Sequence, residues 1–156
     1  MVPLDEIDCA LLALLQERGD ASNLELARTA GLSPAATSRR VARLRAEGVI
    51  EGVRAVVPPE QVGLGVEAYV LVTLAEHSVA ADARFAREVA HMPNVLRADS
   101  IAGAEDALLH VATAGASDLH RLLLALKRAG AQRATTMLRL QAIKPAAPVP
   151  ASPGEP

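Results

Sequence analysis

Apolar positions along the chain change period between its two halves. Leu4, Ile7, Leu11 and Leu14 recur every three or four residues, the spacing of one helical face, and predict a helix from about Leu4 to Arg18 that Gly19-Asp20 ends. Residues 22–54, SNLELARTAGLSPAATSRRVARLRAEGVIEGVR, predict two further helices about a tight turn, then a short strand pair over Val49 to Val57 with its turn near Glu51-Gly52. Ser22 and Glu25 form an S-x-x-E capping box, and Gly31 stands where the chain must leave that helix. Ser33 caps the next helix and Pro34 occupies its first turn, where a missing N–H costs nothing.

After Pro58-Pro59 and Gly63-Leu64-Gly65 the pattern becomes one of strands and amphipathic helices. Glu67 to Ala75 is rich in β-formers. Ala80 to Met92 is helical, with Phe85 and Val89 on one side. Val95 to Ile101 and Ala107 to Thr113 read as a hairpin across Gly103. Ser117 to Ala129 is a helix that places Leu119, Leu122, Leu123 and Leu126 together, and Ala134 to Ile143 is a last strand. The order strand, helix, strand, strand, helix, strand is that of a ferredoxin-like domain. The expected fold is therefore α+β: an N-terminal winged helix-turn-helix over residues 1–57, a hinge over 58–66 and a βαββαβ domain over 67–144. The Pro/Ala-rich tail 145–156 is expected to be disordered.

Charge sharpens the first half. Between positions 28 and 54 six arginines (28, 39, 40, 43, 45, 54) face only Glu47 and Glu51, although the whole chain carries a formal charge of −2. Neutralising phosphates is the main sequence-independent term in DNA affinity. On the second helix of the pair, Thr37, Val41 and Leu44 fall on the inward side. Ala35, Ser38, Arg39 and Ala42 fall on the other, where small residues permit close approach to base edges and Ser38 and Arg39 can hydrogen-bond them. The expected contacts to double-stranded DNA are Ser33, Pro34, Ala35, Ser38, Arg39, Arg40, Arg43 and Arg54. A solvated arginine face is the plain alternative for the charge run by itself; the caps and turn around it favour DNA.

Composition removes several classes. Of 156 residues 51% are hydrophobic, enough for a core, but there is no Trp, one Tyr and one Phe. Modules that bind single strands or RNA by base stacking need aromatic platforms. The single cysteine, Cys9, excludes an internal disulfide and a cysteine metal cluster. No apolar run approaches a membrane span, and the N-terminus carries acids where a signal peptide needs bases, so a cytoplasmic protein is expected. His77, His91, His110 and His120 show no i, i+4 metal spacing, and no nucleophile triad, phosphate loop or dinucleotide motif is present. No cofactor, no metal and no enzymatic activity are expected.

The strings LDEID, SNLELARTAGLS, PAATSRRVARL and GVIEG, followed by the PNV, GAED and DL pattern of the second half, resemble the Lrp/AsnC (leucine-responsive/asparagine regulator, feast/famine) family of transcriptional regulators over about residues 4–144. The resemblance implies sequence-specific DNA binding and a C-terminal domain that assembles into homodimers, which in this family often associate further into octamers. It also implies a small-molecule effector, an amino acid or related compound, held between C-terminal domains around a G-x-x-D loop. Here that loop is Gly103, Ala104, Glu105 and Asp106, with Thr136 matching a position near the pocket. Spacing alone reads the loop as a hairpin turn with solvated acids, and Thr136 as an ordinary β-branched strand residue. Ala102 and Ala107 stand where the family often carries a hydroxyl and an aromatic, which leaves space for a larger ligand. Two other functions share this outline: a tetrapyrrole (siroheme-type) decarboxylase, which needs histidine in the C-terminal pocket, and an architectural DNA-compacting protein.

Overall fold

The computed structural model describes residues 2–153, which form two units. One comprises the chain to Val56 together with the residues from Lys144 onward; the other runs from Val57 to Ile143.

The first unit holds three helices, α1 (Glu6–Glu17), α2 (Asn23–Ala30) and α3 (Pro34–Ala46). Each begins on a side-chain cap. Asp5 and Asp8 form a reciprocal capping box at α1, and Ser22 and Glu25 do the same at α2. At α3 the Ser33 hydroxyl accepts from the Ala36 N–H. Gly31 closes α2 with φ of 65°, a left-handed conformation that glycine adopts without a Cβ clash. Its N–H and that of Leu32 return to Arg28 and Ala27. Leu11, Leu26 and Val41, one from each helix, meet at the centre. Leu44 and Thr37 are fully buried beside them.

The wing is a correction. Residues 49–58 form no strand. The amides of Val49 and Ile50 both return to the Leu44 carbonyl, which turns the chain off the end of α3 instead of starting a ladder. The β-branched side chains beyond it find no partner strand, and Val56 is 95% exposed. In the tail, residues 145–153 have no helix or strand, and Val149 exchanges two hydrogen bonds with the Gln16 side chain. The last three positions lie outside the described residues.

In the second unit a short 3-10 turn, Pro59–Val62, precedes β1 (Val66–Leu74), α4 (Val79–Ala90), β2 (Val95–Ser100), β3 (Ala107–Thr113), α5 (Ala116–Ala129) and β4 (Ala131–Leu138). The antiparallel sheet has the order β2-β3-β1-β4, as a βαββαβ chain requires. Along β1 the residues Ala68, Val70, Val72 and Leu74 are buried and pack with Phe85 and Val89 of α4 and Leu122 and Leu126 of α5. The opposite face of the sheet carries Tyr69, stacked on His110 at 5.1 Å, while Glu67 joins His110 (2.9 Å) and Arg139 (2.6 Å). Several boundaries moved, and β4 ends at Leu138 and not at Ile143. Helix α5 starts on Gly115 with no side-chain cap, so Ser117 is inside it and not its cap. Strand β4 starts at Ala131, three residues earlier than its alternation suggests, because Gly130 (φ 123°) ends α5 and Ala131 pairs at once with Leu74.

Candidate DNA interface and effector cavity

The outward face of α3 is built as its periodicity requires. Ala35, Ser38, Arg39 and Ala42 are exposed, opposite buried Thr37, Val41 and Leu44. The start of the helix is fixed from two sides: the Thr37 hydroxyl donates to the Ser33 carbonyl (3.1 Å), and the Asn23 amide donates to the Pro34 carbonyl (2.9 Å). Ser33 and Pro34 therefore set the angle at which α3 leaves α2.

The arginines divide into two sets. Arg40 donates to Asp5 (2.6 Å) and Asp8 (3.0 Å), and Arg43 to Asp8 (2.5 Å). The Asp8 side chain is 1% exposed, so its two oxygens are neutralised by helix α3 and by the N-cap amide of Asp5. These contacts spend Arg40 and Arg43 on holding α3 against α1. Arg39, by contrast, is exposed and stands outside this network, and Arg54 lies on the exposed segment after α3. Sequence reasoning missed Asp5 and Asp8 as partners. The D-x-x-D spacing ahead of the apolar stripe was the available signal; the pairing to Arg40 and Arg43 is long-range and left none.

Hydrogen bonding lowers the pKa values of the caps. The Asp5 carboxyl is held below its ordinary value, first by the Asp8 N–H and then by Arg40. The Glu25 carboxyl is pushed down to about 2, mainly by the Ser22 N–H, then by the Ser22 hydroxyl and Arg18.

Of the expected effector residues, Gly103, Ala104, Glu105 and Asp106 form one loop before β3, and Thr136 lies on β4. Gly103 and Ala104 are exposed, and a Cβ built on Gly103 meets nothing within 4 Å. Glu105 lies 3.6 Å from Arg133. Asp106 is the structural anchor of the loop: its N–H donates to the Val72 carbonyl (2.9 Å) and one carboxylate oxygen accepts the Leu74 N–H (2.7 Å). Its other oxygen lies 3.5 Å from His77 Nδ1. Thr136 pairs with Val70 in the sheet.

A cavity of about 430 Å3 opens beside Asp106, between α4 and strands β1, β2 and β3. Leu74, Phe85, Val89 and Ile101 give it an apolar floor, and Asp82, Asp99 and Asp106 give it carboxylates; neither Thr136 nor any histidine lines it. Asp99 is already held by Arg97 (2.7 and 3.1 Å), which keeps its carboxyl below the usual range. Volumes of this order suit small-molecule sites. Two histidines are used elsewhere: His110 by Glu67 on the far face of the sheet, and His91 by the Arg87 carbonyl. Among the described residues no cluster of metal-ligating side chains occurs, and no helix is long and apolar enough to cross a membrane.

Comparison with known proteins agrees with both halves. Residues 4–45 match the AsnC-type helix-turn-helix domain, and residues 67–149 match the Lrp/AsnC ligand binding domain. The DNA-binding transcriptional activator DecR of Escherichia coli is 39% identical over 111 residues, covering 71% of this chain and 73% of its own length. The glutamate uptake regulatory protein of Zymomonas mobilis is 36% identical over 119 residues, covering 76% and 73%. A transcriptional regulator from Neisseria meningitidis, solved as its L-Met complex, superposes with a TM-score of 0.87 at 31% identity, covering 94% of this chain and 96% of that one.

Proposed function

The chain belongs to the Lrp/AsnC family of transcriptional regulators, and from that premise we propose that α3 reads its operator through Ser38 and Arg39. The exposed, small-residue face of α3 carries this reading, because Ala35 and Ala42 let the backbone approach while Arg39 remains uncommitted inside the unit. Ser33 and Pro34 orient that helix, Arg54 meets phosphate, and Arg40 and Arg43 reach phosphate only from the side that faces Asp5 and Asp8. Arg39→Ala is expected to relax base preference at one position by about 1–3 kcal/mol if the guanidinium is a bidentate base contact. Equal weakening on all sequences would make Arg39 a phosphate contact, and no change would remove it from the interface.

The effector reading rests on the cavity beside Asp106. Carboxylates around an apolar floor favour the ammonium end of an apolar amino acid, and Gly103 leaves the loop open to close backbone approach by a ligand held between C-terminal domains. Ala102 and Ala107 leave room for a side chain larger than that of alanine or serine. Glu105 and Thr136 complete such a site from neighbouring chains or not at all. The protein forms a homodimer, open to octamer assembly, through the sheet face that leaves Tyr69 38% and Met137 43% exposed. It works in the cytoplasm without catalysis of its own. A thermal-shift screen of the twenty amino acids tests the effector: a ligand at a hundred times its Kd stabilises by about 2.7 kcal/mol. If no amino acid shifts the melting temperature, the cavity is vestigial and regulation is ligand-independent.

A further inference from the structure

The first unit contains a contact that neither DNA binding nor effector binding uses. The Gln16 side-chain amide donates to the Val149 carbonyl (3.0 Å) and accepts from the Val149 N–H (2.7 Å). One primary amide thus satisfies both backbone groups of a single residue, as a neighbouring strand would. Val149, Pro150, Ala151 and Ser152 line a cleft whose other walls include Leu12 and Leu15 of α1 and Val49, Ile50 and Val53 after α3.

The sequence of the tail explains why this residue is the one held. Val149 lies between Pro148 and Pro150, neither of which has an N–H, so it carries the one backbone donor of the three. The proline that follows confines Val149 to extended conformations, and proline on both sides makes the stretch stiff before it docks. Little chain entropy is left to lose. Val149 is 72% exposed and its two hydrogen bonds are made by its backbone, so the recognition is of backbone and not of the valine itself.

We propose that the cleft between α1 and the segment after α3 is a docking site for an extended, proline-flanked peptide, and that its occupant is this chain's own segment Pro148–Ser152. The docked tail straps the stretch Val49–Val53, which has no strand of its own, to α1. Gln16 is exposed and its side-chain amide is spent on Val149, so it is a reader of the tail.

Full-length protein labelled with 15N-valine tests this by the backbone 15N heteronuclear NOE of Val149. The wild type is expected to show Val149 ordered, near the value of Val70 in the sheet. Gln16→Ala removes both hydrogen bonds and is expected to lower the docked population by on the order of tenfold, giving Val149 a free-chain value while the far-UV circular dichroism of the three helices is retained. Val149→Ala, followed by 15N-alanine labelling, is expected to stay docked. A free-chain value in the wild type overturns the proposal, as does a Gln16→Ala protein whose Val149 stays ordered. In mixed samples of 15N-labelled and 13C-labelled chains, an NOE from Val149 to Gln16 of a second copy overturns docking by the chain's own tail.

Discussion

The two units are held together by different physics. The second is organised around an apolar layer in which Val70, Val72, Leu109, Val111 and Leu126 are fully buried between a sheet and two helices. The first has a small apolar centre and a conspicuous set of polar contacts: three side-chain caps, and the buried Asp8 with Arg40 and Arg43 on it. A unit that must present arginines to DNA carries positive charge on its recognition helix before DNA arrives. Acids from α1 offset part of that charge and, in doing so, align α3. The second unit needs no such balance and depends on burial.

Core truncation should show this contrast most strongly. Leu126→Ala is expected to destabilise the second unit by about 2–5 kcal/mol, read as the midpoint of chemical denaturation followed by far-UV circular dichroism. Preserved stability would mean that the sheet and α5 collapse around the missing side chain, and that burial is not what distinguishes this half.

The matching change in the first unit is Asp8→Asn. It keeps shape and removes the charge that both arginines address. Because Arg40 and Arg43 can turn to water, being 30% and 42% exposed at the side chain, the expected loss is about 1–3 kcal/mol and not that of a fully buried pair. Arg43 is freed while Arg40 keeps Asp5, so the dependence of DNA affinity on salt is expected to steepen by up to about one phosphate contact in the log–log slope. An unchanged slope with reduced stability would leave Arg40 and Arg43 as scaffold residues only.

These particular contacts also mark where the sequence was legible. The caps at Ser22, Glu25 and Ser33, the glycine at 31 and the inward set Thr37, Val41 and Leu44 are local, and short-range spacing suffices to read them. The same holds for Phe85, Val89, Leu122 and Leu126 facing the sheet. The wing was not legible, because β-branched residues form a strand only where a ladder partner exists, and Val53, Val56 and Val57 have none within the described chain. Nor were Asp8 on Arg43 or Asp106 on the Leu74 amide, since both join residues more than thirty positions apart. The site role of Asp106 was inferred from a G-x-x-D pattern, and the structure shows the same carboxylate serving the backbone.

Caps offer a finer comparison between the halves. Ser33→Ala removes the acceptor for the Ala36 N–H at the recognition helix and is expected to cost about 1 kcal/mol. Removing the Ser117 hydroxyl should cost much less, because α5 begins on Gly115 with no side-chain cap. Equal losses in thermal denaturation would show that Ser117 serves α5 in some other way.

Acid should separate the two units with the mildest perturbation. Both Asp5 and Glu25 have folded values below their unfolded ones, Glu25 falling from 4.5 to about 2. A carboxyl whose folded value is depressed binds its proton more readily when unfolded. Its stabilisation is complete above the unfolded value and fades as pH falls toward the folded one. Both groups belong to the first unit, where they cap α1 and α2 and meet Arg40 and Arg18. The first unit should therefore begin to lose stability below about pH 4.5 and continue losing it toward pH 2, by a modest amount because both carboxylates are exposed to solvent. The three-helix signals should broaden or shift in an NMR pH titration before those of Val70, Val72 and Leu109. Loss of the sheet signals first would mean that Asp99 of the second unit, whose carboxyl Arg97 also holds below its ordinary value, matters more to folding than the helix caps do.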